Sequence, residues 1–392
     1  MSPFVAVILI CLNSVPSEAC NESTAADVLS NRVDSELSCV MGWQDVVARS
    51  ALANEIGRTA YVKTLCRRAG AEAVRPSASH RMSVRRMLGL IFTGVALLGA
   101  ITPGHAETAA LPVTEIAPGV FVHNGVHEEA SAANEDGIAN IGFIVGEATV
   151  AVIDPGGSFT EGSALRAAIR TRTDRPIGYV IMTHVHPDHI FGAAAFRDGH
   201  AEFVGHAKLP GAMAQRGEYY LRRLHSALGD EAAGSEIVPP TILVSDPLDL
   251  DLGERHLTLR AHGPAHTDND LSVFDEKTRT FWLADLLFVD RIPAIDGSIV
   301  GWLKELKALS AIPADRAVPG HGPASVAWPT AAEPERRYLE AVAQDTRAAI
   351  KAGIGIAEAY RHVANSERGQ WLLFDDYHAR NVTASYKELE WE

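Results

Sequence analysis

The 392 residues carry 35 Lys+Arg against 49 Asp+Glu, a formal net charge of −14. Of these, 10 basic and 8 acidic residues precede Glu107, so the 286 residues 107–392 hold 25 against 41, a net of −16. So acidic a surface argues against nucleic acid as a partner and against nuclease chemistry, while the length suffices for one large domain with a substantial core.

The N-terminal quarter reads differently from the rest. Residues 1–81 show no sustained helical or strand period, and Phe4 to Leu12 form an apolar patch with no basic preamble. Arg85-Arg86 then precedes the apolar run 87–101, and Thr102-Pro103-Gly104-His105-Ala106 sets small residues at cleavage positions. That is the layout of a secretory signal peptide over 82–106. The paired arginines suit twin-arginine export, the surrounding residues fit it less well, and the Sec route stays open. The run is short for a bilayer span, which argues against a stable membrane anchor. The expected division is an unassigned upstream extension over 1–81 (an over-called start or a dispensable leader), a signal peptide over 82–106, and an exported, periplasmic domain over 107–392. Cys11, Cys20, Cys39 and Cys66 all precede the expected cleavage site, leaving the mature part without disulfide or cysteine ligand.

From Val113 a string of short strands is expected: 120–123 after Pro118-Gly119, then 140–146, then 149–153. Residues 123–129 between them are polar, and His127 or Glu128 either touches substrate or sits at a solvated loop tip. Asp154-Pro155-Gly156-Gly157 closes the strand before a helix over 158–171 with Leu165, Ala168 and Ile169 inward. Pro176 opens a buried strand containing Ile177, Tyr179, Val180 and Ile181, which ends in Thr183-His184-Val185-His186-Pro187-Asp188-His189. In extended chain, residues two apart point the same way, so His184 and His186 can grip one cation together. His189 breaks that parity and begins a second set with Asp188. A histidine-rich strand exit without metal is the bland alternative.

Further on, 202–204 is a strand, and His200 and His206 are lone, structural histidines. Residues 207–228 have a helical pattern with Arg216, Tyr219, Tyr220, Arg222, Arg223 and His225, either a pocket wall or core packing. After Pro239-Pro240 come strands at 242–244, 248–250 and 256–261, a loop over 262–270, strands at 271–274 and 281–283, and a turn carrying Asp285. A helix over 298–308 holds Trp302, Leu303 and Leu306, and a strand over 316–318 leads to His321. Helices over 333–352, 356–363 and 374–389 finish the chain. Strand, polar loop, strand, polar loop occurs twice, which suggests two sheets flanked by helices.

The run His184-Val185-His186-Pro187-Asp188-His189 resembles the His-x-His-x-Asp-His signature of the metallo-β-lactamase-fold hydrolases. Later motifs keep that family's order: His266 in Gly263-Pro264-Ala265-His266-Thr267, Asp285 in Trp282-Leu283-Ala284-Asp285, and His321 in Pro319-Gly320-His321-Gly322. The resemblance implies an α/β fold, a four-layer αββα sandwich. It also implies that His184, His186 and His266 hold one zinc, that Asp188, His189 and His321 hold a second, and that Asp285 bridges them. Such nitrogen and oxygen ligands suit zinc and admit iron or manganese. Two such cations about 3.5–4 Å apart acidify a shared water, and a metal-bridging hydroxide would attack a small-molecule substrate. Asp188 would orient that nucleophile or shuttle its proton, Asp154 would support the loops through hydrogen bonds, and Thr183, Thr267 and Asp268 are candidates to fix imidazole tautomers.

Asp285 resembles the bridging Asp of thiolesterase-like members, where β-lactamases typically have Cys or Ser, and this implies an ester or thioester substrate. The stretches 262–271, 284–302 and 374–392, with Tyr377-His378-Ala379-Arg380-Asn381, are similar to the quinoprotein relay system zinc metallohydrolases. That implies association with a periplasmic PQQ-dependent quinoprotein dehydrogenase, although no residue shows a quinone site. Two other readings are carried: a mononuclear iron oxygenase of the same fold acting on sulfur compounds, and a non-catalytic metal-binding accessory factor for a quinoprotein.

Overall fold

The computed structural model describes residues 4–12, 15, 19–33, 60–68, 108–197 and 199–392. They belong to two compact units, 1–100 and 101–392. The expected signal peptide, 82–106, lies outside the described residues.

In the first unit, β1 (Phe4–Leu12), β2 (Asp27–Val33) and β3 (Ala60–Arg68) form an antiparallel sheet in the order β2-β1-β3. This differs from the expectation of no strand period over 1–81. The reason lies in β1: every position from 4 to 12 is apolar, so it carries no alternation to read, and Ala6 to Cys11 are buried. A disulfide joins Cys11 to Cys20.

In the second unit, β4 (Thr114–Ala117), β5 (Val120–His123), β6 (Ile141–Val145) and β7 (Val150–Ile153) make an antiparallel meander. After α1 (Phe159–Arg172), β8 (Ile177–Met182) pairs parallel with β7. The short helix α2 (Pro187–Ile190) leads to β9 (Glu202–His206), and α3 (Leu209–Leu228) to β10 (Ile242–Val244). These strands form one seven-stranded sheet, β10-β9-β8-β7-β6-β5-β4. The second sheet has five strands in chain order: β11 (Leu248–Asp251), β12 (His256–Ala261), β13 (Leu271–Asp275), β14 (Thr280–Phe288) and β15 (Arg316–His321). Helix α4 (Ile299–Ser310) joins β14 to β15, and α5 (Glu333–Lys351), α6 (Ile356–Ala359) and α7 (Phe374–Leu389) follow.

The layers follow from strand parity. In β7, Ala151 and Ile153 face the second sheet, while Val150 and Val152 face α1. In β14, Trp282 and Ala284 meet the first sheet, while Phe281 and Leu283 pack on α4 and α5 beside Trp302, Leu306, Tyr338 and Leu339. Each sheet thus buries both faces, and the result is an αββα sandwich, as the sequence leads one to expect. All nine residues of β14 are buried, which explains its near-continuous apolar sequence and isolates Asp285 as its one charged side chain.

Two elements depart from expectation. Asp285 lies inside β14 rather than in a turn, because β14 keeps pairing with β15 through a register shift at Ala284, whose φ is +47°. The helix expected over 356–363 stops at Ala359, where the chain continues in turns until Asp345 captures the Ala364 N–H at 2.8 Å.

The sheets are clamped by a buried ion pair. Arg255 grips Asp275 of β13 in a two-pronged contact (3.0 and 2.6 Å) and donates to the carbonyls of Pro118 and Val145 on the other sheet. Arg255→Ala should lower unfolding free energy by about 3–5 kcal/mol, since it strands a fully buried carboxylate. Urea titration checks this; a loss under 1 kcal/mol would show that the clamp is not needed.

Candidate metal centre

The site is assembled where strands end. Beyond β8 the chain bends through Thr183 to His186; Val185 tucks into the core while His184 and His186 turn together toward a common point. Pro187 opens α2, which ends extended geometry and swings Asp188 and His189 around to the other side. The loop between β12 and β13 supplies His266, the bulged β14 supplies Asp285, and the end of β15 supplies His321. Gly320 is needed there: a Cβ on it would lie 1.9 Å from Asp285 Oδ1.

All seven side chains singled out in the sequence converge. His184 Nε2 lies 3.1 Å from His186 Nδ1, which lies 2.9 Å from His266 Nε2. Asp285 Oδ2 is 3.1 Å from His266 Nε2 and 3.7 Å from His184 Nε2. On the other side, Asp188 Oδ2 lies 3.4 Å from His321 Nε2 and 3.6 Å from His189 Nε2. Asp285 reaches this group too, with Oδ1 3.1 Å from His189 Nε2 and Oδ2 3.5 Å from His321 Nε2. Two donor groups capable of holding metal result, His184-His186-His266-Asp285 and Asp188-His189-His321.

The outer nitrogen of each ring is already committed. His189 Nδ1 lies 2.8 Å from Asp154 Oδ2, His266 Nδ1 2.6 Å from the Ala294 carbonyl, His321 Nδ1 2.8 Å from the Ile138 carbonyl, and His186 Nε2 3.1 Å from Asp296 Oδ2. Thr183 Oγ1 donates to Asp154 Oδ2 at 2.9 Å, so it accepts from His184 Nδ1 at 3.1 Å. With every outer nitrogen a donor to oxygen, the inner nitrogens of the neutral rings present lone pairs, all facing each other and two carboxylates. Such an arrangement is repulsive unless a cation sits within it. Two of these inner atoms, His189 Nε2 and Asp285 Oδ1, are buried and lack a hydrogen-bond partner. Metal ions fit the donor set.

The electrostatics show the same demand for positive charge, which a proton on His189 meets when no metal does. Burial and the neighbouring His189 push His184 well below the usual imidazole range. Although burial opposes it, the carboxylates of Asp285, Asp188 and Asp154 raise His189 well above that range. Burial would raise Asp285, but His321, His189, His266 and His184 together hold it well below the usual carboxylate range.

The structure also revises the supporting cast. Asp154, buried with φ of +54°, receives Thr183 N–H at 2.8 Å as well as Thr183 Oγ1 and His189, so it braces both donor groups without facing them. Thr183 fixes a tautomer as expected. Thr267 and Asp268 do not: the Thr267 hydroxyl donates to Asp270, and Asp268 accepts from Asn269 Nδ2. Instead Ala294 and Asp296, on the segment 290–299, hold His266 and His186. Backbone carbonyls leave no trace in a sequence, but Asp296, an acid on the family-like stretch 284–302, was open to notice. His127 is half-buried, with burial and then His321 lowering its pKa, while Glu128 is exposed and its carbonyl accepts from Arg291 at 3.4 Å. His206 stays structural, accepting Lys208 N–H at 2.9 Å.

The segment 290–299 is itself held by α7 and the residues before it. Leu372 pairs with Asp290 and Ile292, Tyr377 accepts from Arg291 at 2.9 Å, and Asn381 accepts Ile295 N–H at 2.9 Å and donates to Pro293. Glu388 accepts from Ser298 Oγ and Ile299 N at the start of α4.

A four-layer sandwich with paired His/Asp groups at strand ends defines a class, and comparison with known families agrees: residues 134–321, a span enclosing all seven side chains, match the metallo-beta-lactamase superfamily. Among solved structures, the chain is similar to a double mutant of the sec-alkyl sulfatase PisA1, at 16% identity and a TM-score of 0.55, over 72% of this chain and 51% of that one. It is also similar to a metallo-beta-lactamase from Pontibacter korlensis (17% identity, TM-score 0.48, 59% of this chain and 99% of that one). A third is FIM-1 from Pseudomonas aeruginosa in its mono-zinc form, at 17% identity and a TM-score of 0.46, covering 60% and 96%. At 16% identity the likeness to the sulfatase speaks to the fold alone. No curated protein matches the sequence.

Asp154→Asn should lower metal affinity by about 10–100-fold, as loss of an outer partner does; competition with a chromophoric chelator measures it, and unchanged affinity would remove Asp154 from the brace. Beneath the Asp154 turn, Glu161 accepts Gly157 N–H at 2.7 Å, and burial pushes its carboxyl up to about 8. A carboxyl raised from 4.5 stabilises the fold while protonated, and that contribution is lost as pH rises toward about 8. Urea midpoints of the wild type should therefore fall more between pH 5 and about 8 than those of Glu161→Gln; parallel curves would refute it.

Proposed function

We propose that the protein is a metal-dependent hydrolase that holds a pair of zinc ions and cleaves an ester or thioester bond in a small molecule. The observation that carries this reading is Asp285, which reaches both donor groups, Oδ1 lying 3.1 Å from His189 Nε2 and Oδ2 3.1 Å from His266 Nε2. His184, His186 and His266 would hold one ion, Asp188, His189 and His321 the other, and Asp285 both. When bound, such ions supply an acidified water and a Lewis acid for the substrate carbonyl. The chain's own part is to hold donors fixed: each imidazole is locked by an oxygen behind it, so no ring need reorient during turnover. Asp188 is the more open of the two carboxylates (side chain 11% exposed, against 4% for Asp285), which suits it to take a proton and pass it to solvent.

The ester or thioester preference draws on Asp285 at the bridging place and on the absence of cysteine from residues 107–392. The complete second donor group favours this reading over a mononuclear iron oxygenase, and intact donors at all seven positions favour it over a non-catalytic accessory factor. A periplasmic setting and association with a quinoprotein dehydrogenase complete the proposal; they rest on the signal-like segment 82–106 and on the family-like stretches 284–302 and 374–392, which in the fold interlock.

Metal analysis of the purified protein should return two zinc ions per chain, and a panel of thioesters, esters and lactams should show turnover of the first two above the third. A fully loaded protein inert across the panel would instead support the accessory reading. Asp285→Asn should lower second-ion occupancy and cut turnover by at least about tenfold; unchanged values for both would remove Asp285 from the bridge.

A further inference from the structure

Beside the metal-binding side chains lies a charge cluster of which hydrolysis as described uses only Asp296. Asp296 holds His186 with Oδ2, and two arginines stand on its other sides. Arg216 of α3 pairs with the same Oδ2, and Arg380 of α7 lies 3.7 Å from Oδ1. Tyr220 completes the group, its hydroxyl 3.5 Å from Arg216 and its ring 6.2 Å from that of His186.

The charges do not balance. Two guanidiniums share one carboxylate, which leaves one positive charge over, in a region whose composition is strongly acidic. The excess is open to solvent: the Arg216 side chain is 38% exposed and that of Arg380 53%, against 20% for Asp296. Holding Asp296 against His186 accounts for Arg216, which addresses the oxygen that His186 uses. It does not account for Arg380, whose separation is too long for a hydrogen bond and whose fork of N–H donors is otherwise unspent among the described residues. An arginine fork matches a planar carboxylate, and a single surplus charge matches a singly charged group better than a phosphate.

We infer that Arg380, backed by Arg216 and flanked by Tyr220, is a subsite for a carboxylate carried by the substrate at a distance from its scissile bond. The substrate class is then the half-ester or half-thioester of a short dicarboxylic acid, its free end on Arg380 and its acyl carbons along Tyr220. This deepens the hydrolase reading and rests on it for the word substrate, while the subsite itself can be tested without turnover.

The first arm is equilibrium binding of glutarate and of its neutral counterpart glutaramide to the zinc-loaded protein at low salt. The wild type should favour glutarate by roughly three- to tenfold, the range for one exposed charge contact, and the preference should shrink as salt is raised. Arg380→Gln should lose most of the preference with zinc content unchanged, and Arg380→Lys should keep more of it. Equal binding of the two compounds by the wild type, or a preference undiminished in Arg380→Gln, overturns the subsite. The second arm compares phenyl hemiglutarate with methyl phenyl glutarate: Arg380→Gln should raise KM for the charged ester alone and leave kcat in place. Equal changes for both esters overturn the subsite as well. An Arg380-dependent glutarate preference in a protein that cleaves neither ester would sink the hydrolase reading and leave the subsite standing.

Discussion

Lone pairs forced to face one another are the constraint on which this structure depends. The inner nitrogens of five imidazoles and the oxygens of Asp188 and Asp285 crowd within a few ångströms. Water cannot reach most of them, and each ring is prevented from turning away by an oxygen behind it. The arrangement is costly by itself and becomes favourable around cations, so the fold stores an affinity for metal. Asp154 is the centre of that storage. One buried carboxylate receives His189 directly and His184 by way of Thr183, which ties together the rings that begin the two donor groups.

The layered architecture makes such crowding affordable. The donors sit within the buried strand β14, at the last residue of β15, in the turn after β8 and in the loop between β12 and β13, all anchored to paired strands buried on both faces. Where the geometry is tightest, the sequence gives up side-chain bulk: Gly320 lets β15 approach close enough for Asp285 to fit, and Ala284 takes a left-handed conformation that points it correctly.

Much of this was legible beforehand, for identifiable reasons. His184, His186, Asp188 and His189 are close in sequence, so their chemistry is visible without any fold. His266, Asp285 and His321 become meaningful only through motif order. The sandwich was legible from the repeated order of strand and polar loop and from the family resemblance that the motif order carries. What stayed hidden has physical causes. Carbonyl partners such as those of Ala294 and Ile138 belong to the backbone and can come from any residue type. Asp285 reads as a turn residue because a carboxylate in the middle of a buried strand breaks the pattern that defines one. Strand β1 escaped because uniform apolarity looks the same in a strand, a helix or an export signal.

The brace formed by residues 372–388 has a bearing on how the protein matures. The donors at 184–189, 266, 285 and 321 all leave the ribosome before the segment that locks 290–299 behind two of their rings. The oxygens of Asp296 and Ala294 behind His186 and His266 are therefore fixed in place only once the last helix has been made, so those two rings are fastened in the finished chain.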